Sequence, residues 1–127
     1  MQPYLTLELP PDEQAPGRAR HAISGLDGLL GAAQPDVALL VSELVTNGVR
    51  HAHAGPDAPV RVAVQVADDR VRVEVSDQGP GFDHGPLPPD PTRVGGWGLR
   101  LVDELSERWG VERARGTTVW FEVSRGA

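Results

Sequence analysis

The chain has 127 residues, about the length of one domain. Twelve basic residues against eighteen acidic ones give a net charge of −6, which argues against direct nucleic-acid binding because a duplex needs a basic surface. All twelve basic residues are arginine and cysteine is absent, which excludes a P-loop lysine, an ordinary protein-kinase lysine, thiol chemistry and cysteine-ligated metals.

The composition also indicates where such a chain works. No apolar run approaches the roughly 20 residues that a membrane-spanning helix needs. The first 13 residues lack the basic and then apolar pattern of a signal peptide. We therefore expect a cytoplasmic protein without a membrane partner. Because 39% of the residues are apolar, the chain can supply one core, and we expect a single domain over residues 1–127.

The N-terminal half predicts one strand and two helices. Residues 4–9 alternate apolar and polar side chains, as a half-buried strand does. Apolar residues recur every three or four positions from about residue 12 to 30, which predicts a first amphipathic helix. A second, more strongly periodic stretch runs to about residue 52, with Asp36 as a candidate N-cap.

The C-terminal half predicts a hairpin, a loop, a helix and a last strand. Valines alternate over residues 60–66 and 71–75, which is typical of two hairpin strands. Residues 77–96 are rich in glycine and proline, and a loop of this length usually has a function. A third helix begins at Gly98 and includes Trp109, and a strand follows over residues 117–123. This order predicts an α+β fold with one mixed, mostly antiparallel sheet covered on one face by helices.

The second predicted helix carries a candidate catalytic face. Glu43, Asn47 and His51 are spaced by four, so they share one face that is offset from the apolar stripe. A carboxylate one turn from a carboxamide can provide a general base beside an oxygen ligand for Mg²⁺. A polar helix edge exposed to solvent has the same spacing, so the pattern alone leaves both interpretations open.

Two glycine-containing segments flank the predicted loop. Asp77, followed by Gly79 and Gly81, ends a strand, where a carboxylate can accept the amino group of a purine and glycines admit a flat ligand. Gly96 and Gly98 precede a helix, whose first N–H groups and dipole can bind phosphate oxygens. A tight turn and a flexible helix entry are the alternative interpretations.

The order and spacing of these motifs closely resemble the Bergerat ATP-binding fold of the GHKL superfamily, a two-layer α/β sandwich. That superfamily contains the gyrase-type, heat-shock-chaperone, histidine-kinase and mismatch-repair ATPases. The resemblance runs from about residue 36 to 123. The segments ELVTNGVRHA and GWGLRLVDELSERWGVERARGTTVWFEV are most similar to the bacterial anti-sigma-factor serine/threonine kinases.

The resemblance implies a role for each matching residue. Glu43 would be the general base and Asn47 the Mg²⁺ ligand. Asp77 would accept the adenine amino group, with Thr117 supporting it through water, and His51 would line the pocket or be structural. The full set of implied ATP contacts is Asn47, Asp77, Gly79, Gly81, Arg93, Gly96, Gly98, Leu99 and Thr117.

The resemblance implies that the protein transfers the ATP γ-phosphate to a serine or threonine of an anti-sigma-factor antagonist, with a sigma factor as competing partner. Arg18 and Arg20 on helix one would face a partner, or solvent, and a homodimer is a further family property. A histidine-kinase domain would need a phosphoacceptor helix pair, and the chaperone, gyrase and repair ATPases a transducing domain. We expect neither here.

One position departs from the kinase pattern. Related kinases often carry arginine two residues before the first glycine of GxG, where this chain has Val94, with Arg93 beside it. The alternative function is therefore a nucleotide-binding regulator that switches partners without phosphotransfer.

Overall fold

The computed structural model describes residues 2–50, 58–77, 97–114 and 116–125. Their elements, in chain order, are β1 (Gln2–Leu9), α1 (Ala15–Ser24), α2 (Asp27–Leu30), a 3₁₀ turn (Gly31–Ala33), α3 (Gln34–Arg50), β2 (Val60–Val66), β3 (Arg70–Asp77), α4 (Trp97–Leu105), β4 (Arg108–Ala114) and β5 (Gly116–Ser124). The predicted valine hairpin is confirmed as β2 and β3. The loop was predicted over residues 77–96; Asp77 is the last residue of β3, and residues 78–96 lie outside the described residues.

The five strands form one sheet in the order β1-β2-β3-β5-β4, and each of the four described pairings is antiparallel. The predicted α+β class and mostly antiparallel sheet are therefore confirmed. Val64 pairs with Val73, and Val73 pairs with Phe121 across the next strand. Because side chains alternate along a strand, these apolar residues all lie on one face of the sheet.

The helices cover that face and complete one hydrophobic core. Helix α3 packs on β2 and β3, with α1 and α4 beside it. The members of the core that are fully excluded from solvent include Ile23, Leu30, Val37, Leu40, Val41, Val45, Val60, Val62, Val64, Val71, Val73 and Phe121. The side of the sheet under the helices is called the covered face, and the opposite side is called the open face.

The first predicted helix is two helices, so its predicted continuity was wrong. Helix α1 ends at Ser24, and the Gly25 N–H donates to the carbonyls of His21 and Ala22. Glycine is a poor helix former because it loses the most backbone freedom on folding, and the chain turns here before α2 begins at Asp27.

Asp36 is not the N-cap that the sequence predicted. Helix α3 begins at Gln34 and already includes Pro35. Proline is tolerated in a first turn because the N–H that it lacks would have no partner there. Asp36 therefore lies inside the first turn, where its negative charge stabilises the positive end of the helix dipole.

Trp109 also lies in a different element from the predicted one. Helix α4 ends at Leu105, and Trp109 belongs to β4, where it pairs with Phe121. Its indole Nε1 donates to Asp103 Oδ1 on α4 at 3.0 Å. Trp109 follows Leu105 at helical spacing in the sequence, but it is a strand residue whose side chain contacts α4.

Arg125, just after β5, joins three separate parts of the chain. Its guanidinium donates to the carbonyl of Leu29 at 2.9 Å and to those of Ala67 and Asp68 at 3.1 and 3.3 Å. Gly31 passes close by with a φ of +57°, and a side chain there would be strained. Helix α2 is thereby tied to the β2–β3 turn.

The helical segment Gly28–Arg50 is 23 residues long and apolar enough, by length and composition, to cross a membrane. The core helix of a soluble protein meets the same criterion. In this fold Val37, Leu40 and Val41 are fully buried in the core, so the apolar stripe is already occupied by the sheet and α1.

Candidate functional site

Helix α3 presents its polar residues beside its buried stripe. Glu43 and Asn47 are both partly exposed, whereas Leu40, Leu44 and Val45 are buried. The spacing of four had predicted this shared, offset face, and the helix spans both residues. His51 lies outside the described residues.

The same helix approaches the end of β3 very closely at Gly48. A Cβ atom on Gly48 would lie 3.4 Å from the methyl groups of Val60 and 3.7 Å from Cβ of Asp77. An added Cβ would thus be in van der Waals contact with the strand end that carries Asp77, so the helix backbone next to Asn47 lies close to that strand end. Gly48 is not among the residues predicted from the sequence, although a lone glycine inside a strongly periodic helix is a signal of close packing.

Asp77 and Thr117 form a buried polar pair at the end of the central strands. They are register partners between β3 and β5 on the covered face, and their exposed fractions are 9% and 5%. On the open face, the hydroxyls of Ser76 and Thr118 hydrogen bond at 2.8 Å and support this register. Pairing thus brings together two side chains that are forty residues apart.

The Thr117 hydroxyl of this pair is a candidate for binding a ligand or a water molecule. Its Oγ1 is buried and has no hydrogen-bond partner in the described part of the chain. Buried hydroxyls are almost always satisfied by protein, water or ligand. A carboxylate acceptor beside a hydroxyl that still needs a partner fits the adenine amino group and the bridging water that the resemblance implies.

Helix α4 begins at the predicted GxGL segment. Gly98 and Leu99 lie in its first turn, and Val102 is fully buried against the core. Arg100 Nε lies 3.2 Å from Glu104 Oε1 on the outer side of α4. Four of the predicted ATP contacts lie outside the described residues, namely Gly79, Gly81, Arg93 and Gly96. Val94 also lies outside them.

A further contact ties α1 to the candidate catalytic helix. Arg20 Nη1 donates to Ser42 Oγ at 3.0 Å, and Thr46 Oγ1 donates to the Ser42 carbonyl at 2.8 Å. Ser42 directly precedes Glu43, so the exposed Arg20 of α1 is held at the edge of the face that carries Glu43. The sequence could not predict this contact, because the two residues lie on different helices.

Comparison with known proteins identifies the class to which this fold and site belong. A family model described as the histidine kinase-like ATPase domain matches residues 9–123. A serine-protein kinase RsbW of Staphylococcus epidermidis is 31% identical, over 93% of this chain and 84% of the relative. RsbW of Bacillus velezensis is 32% identical, over 91% and 82%.

A solved structure gives the same class. The histidine kinase domain of the blue-light-activated histidine kinase from Erythrobacter litoralis EL346 superposes with a TM-score of 0.60 at 28% identity. The match covers 90% of this chain and 60% of that one, so the chain spans less than two thirds of that relative. The fold is that of a GHKL-type ATPase domain, as the motifs predicted. The chain belongs to the histidine kinase-like ATPase domain family.

Proposed function

We propose that this chain is an ATP-dependent serine/threonine protein kinase of the anti-sigma-factor type. It transfers the γ-phosphate of ATP to an anti-sigma-factor antagonist and thereby regulates a sigma factor. The observation that carries the proposal is that Gly48 brings the helix of Glu43 and Asn47 close to the strand end that carries the buried Asp77, whose register partner is the buried Thr117. The relatives named serine-protein kinase support the choice of a protein hydroxyl as acceptor.

In this proposal the strand ends bind the adenine. The Asp77 carboxylate accepts the amino group of the base, and the Thr117 hydroxyl binds the water between them. Gly79 and Gly81 form the floor under the ring. Gly96 and the start of α4, with Gly98 and Leu99, approach the phosphates with backbone N–H groups and the helix dipole.

Helix α3 carries out the chemistry in this proposal. Glu43 removes the proton from a serine or threonine hydroxyl, whose oxygen forms a bond to the γ-phosphorus while the bond to the β,γ-bridging oxygen breaks and ADP leaves. Asn47 holds Mg²⁺, which neutralises phosphate charge when bound. Arg93 or Arg100 offsets the charge that develops on the transferred group.

A single protein ligand for Mg²⁺ agrees with the residues available. In the described segments, no group of three or more His, Asp or Glu side chains is placed to hold a metal ion. Mg²⁺ commonly takes one or two protein ligands and completes its shell with water and phosphate oxygens. The Asn47 carboxamide, partly exposed on α3, fits that role.

The partners and setting complete the proposal. The exposed Arg18 and Arg20 of α1 contact the antagonist or the sigma factor, which compete for this surface. The chain works in the cytoplasm as a single domain over residues 1–127 and forms a homodimer, without membrane or direct nucleic-acid contact. The second candidate function, a regulator that binds nucleotide without phosphotransfer, is favoured by Val94 at the position where related kinases often have arginine.

The first test is calorimetric ATP binding with and without Mg²⁺. We expect wild type to bind and Asp77→Asn to lose binding, while Asp69→Asn, the same substitution at an exposed turn residue, binds as wild type does. Asn47→Ala should lose the Mg²⁺ dependence of binding. ATP binding that is equal in wild type and Asp77→Asn would exclude this pocket.

The second test separates kinase from binder. Glu43→Ala should still bind ATP and should lose phosphotransfer to the antagonist, because it lacks only the general base. Wild-type chain that binds ATP and phosphorylates no antagonist would establish the non-catalytic regulator. Intact phosphotransfer by Glu43→Ala would show that another group is the base.

A further inference from the structure

One leucine on α3 stands apart from the apolar residues around it. Leu39 is 42% exposed, and within the described ranges Tyr4, at 51%, is the other large hydrophobic residue that is exposed. The remaining apolar residues of α3 are buried or packed against the core. A single exposed leucine is common in proteins, so the position of Leu39, and not its exposure alone, carries the inference.

Leu39 lies one helical turn before Glu43 on the same side of α3. Residues four apart on a helix are neighbours, separated by about 6 Å along the axis. The other sides of α3 are taken by its neighbours in the fold, with α1 held by the Arg20–Ser42 hydrogen bond, α4 packed alongside and the sheet beneath. The edge of α3 that no other described element covers carries Leu39, Glu43 and the partly exposed Thr46.

In the proposed function the antagonist contacts Arg20 on α1, which is held at Ser42, and presents its hydroxyl to Glu43, so it lies over the edge between these two points. The segment that carries the hydroxyl therefore covers Leu39 as well. Asp36 and Glu43 flank Leu39 along the helix, and Arg20 lies at Ser42 one turn away, so the charges around Leu39 are of both signs. An apolar side chain gains by removing both itself and Leu39 from water.

We infer that Leu39 is a specificity-determining residue for the protein substrate, a conclusion that rests on the proposed kinase function. It binds an apolar side chain of the antagonist that lies roughly 6 Å, one helical turn, from the acceptor hydroxyl. Leu39 binds the substrate equally before and during transfer, because it lies beside the reacting atoms and not on them. Its effect is therefore on KM for the antagonist and not on kcat.

The test is steady-state phosphotransfer to a recombinant anti-sigma-factor antagonist from the same organism, selected because wild type phosphorylates it. Leu39→Gln keeps a good helix former at an exposed site. We expect it to raise KM for the antagonist about 3- to 10-fold, since it loses the burial of a partly exposed leucine. The values of kcat and of KM for ATP stay within about twofold, because neither step uses Leu39.

Two control variants sharpen the result. Leu39→Met keeps an apolar side chain and should leave KM near the wild-type value. Tyr4→Gln removes the other exposed hydrophobic residue, on the distant edge strand β1, and should change nothing. An unchanged KM in folded Leu39→Gln, or an equal rise in Tyr4→Gln, would overturn the inference while leaving the kinase function standing. A wild-type chain that phosphorylates no antagonist would overturn both.

Discussion

The two faces of the sheet bury their side chains by different means. On β5, the neighbours Trp120 and Phe121 point to opposite faces. Phe121 is fully buried among valines and helices, whereas Trp120 on the open face is partly exposed beneath the Arg72 guanidinium, 4.3 Å from its ring centroid. The covered face is filled by apolar volume, and the open face is covered by its own long polar side chains.

A charged network holds the open face together. The Glu122 carboxylate accepts hydrogen bonds from Arg70 and Arg72, both at 3.0 Å, and Arg72 also bonds Glu74 at 3.1 Å. Glu122 is only 8% exposed although no helix covers it in the described structure. We therefore expect the volume of buried side chains to determine stability on the covered face. On the open face, we expect the geometry of individual ion pairs and ring contacts to determine it.

The largest expected effect tests the covered face. Phe121→Ala should lower the free energy of unfolding by about 3–5 kcal/mol, because it leaves a cavity among residues that cannot all move to fill it. Trp120→Ala should cost clearly less, since Trp120 is partly exposed. Urea unfolding of both variants measures the difference. Equal losses would show that the two faces are packed alike.

The next effect tests the close contact on the open face. A Cβ on Gly110 of β4 would lie 2.7 Å from Trp120 Nε1, so Gly110→Ala must displace the indole. We expect a loss of about 1–2 kcal/mol, the usual cost of overpacking. In the Trp120→Ala background the same substitution should be nearly neutral, and a double-mutant cycle measures this coupling. Identical losses in both backgrounds would place the strain elsewhere.

A smaller effect concerns the charge of Glu122. Burial works against its ionisation, but hydrogen bonds from Arg72 and Arg70 and the charge of Arg108 outweigh burial, so the pKa of Glu122 lies below its ordinary value of 4.5. A lowered pKa gives stability that is present above the unfolded-state value and is lost as pH falls through the folded-state value. Glu122→Gln should cost about 1 kcal/mol at pH 7.

The pH profile is the sharper measurement for this variant. Urea unfolding of wild type and Glu122→Gln at a series of pH values should show their difference shrinking as pH falls below about 4.5, where Glu122 of the unfolded chain takes up a proton, and disappearing once pH is below the lower pKa of the folded protein. Parallel profiles would mean that the two arginines do not stabilise the ionised form.

The smallest expected effect lies at the rim of the open face. Arg61 and Glu8 are 3.3 Å apart, but their side chains are 56% and 49% exposed. Arg61→Ala should change the free energy of unfolding by less than about 0.5 kcal/mol, because solvent and salt screen an exposed pair. Thermal unfolding at low and high salt checks this. A loss of unfolding free energy as large as that of Glu122→Gln would show that the charged network of the open face includes the Arg61–Glu8 pair and so reaches β1.

Side-chain periodicity predicted most of the fold because it reports burial directly. The valine hairpin and the buried stripe of α3 follow from alternation and from spacing of three and four. The errors arose where local signals competed. The predicted first helix is interrupted at Gly25, and α3 begins before Pro35 and not at Asp36. Trp109 has helical spacing in the sequence but lies in β4.

For the candidate site too, some features follow from the sequence and others only from the tertiary structure. The sequence by itself determined that Glu43 and Asn47 share a helix face, because residues four apart on one helix must do so. Strand pairing alone set Thr117 beside Asp77, and helix packing alone brought Gly48 against that strand end and Arg20 against Ser42. These contacts join residues far apart in the chain, and local periodicity carries no information about which surfaces meet. Only the tertiary structure therefore decided that α3 and the buried polar pair lie close together.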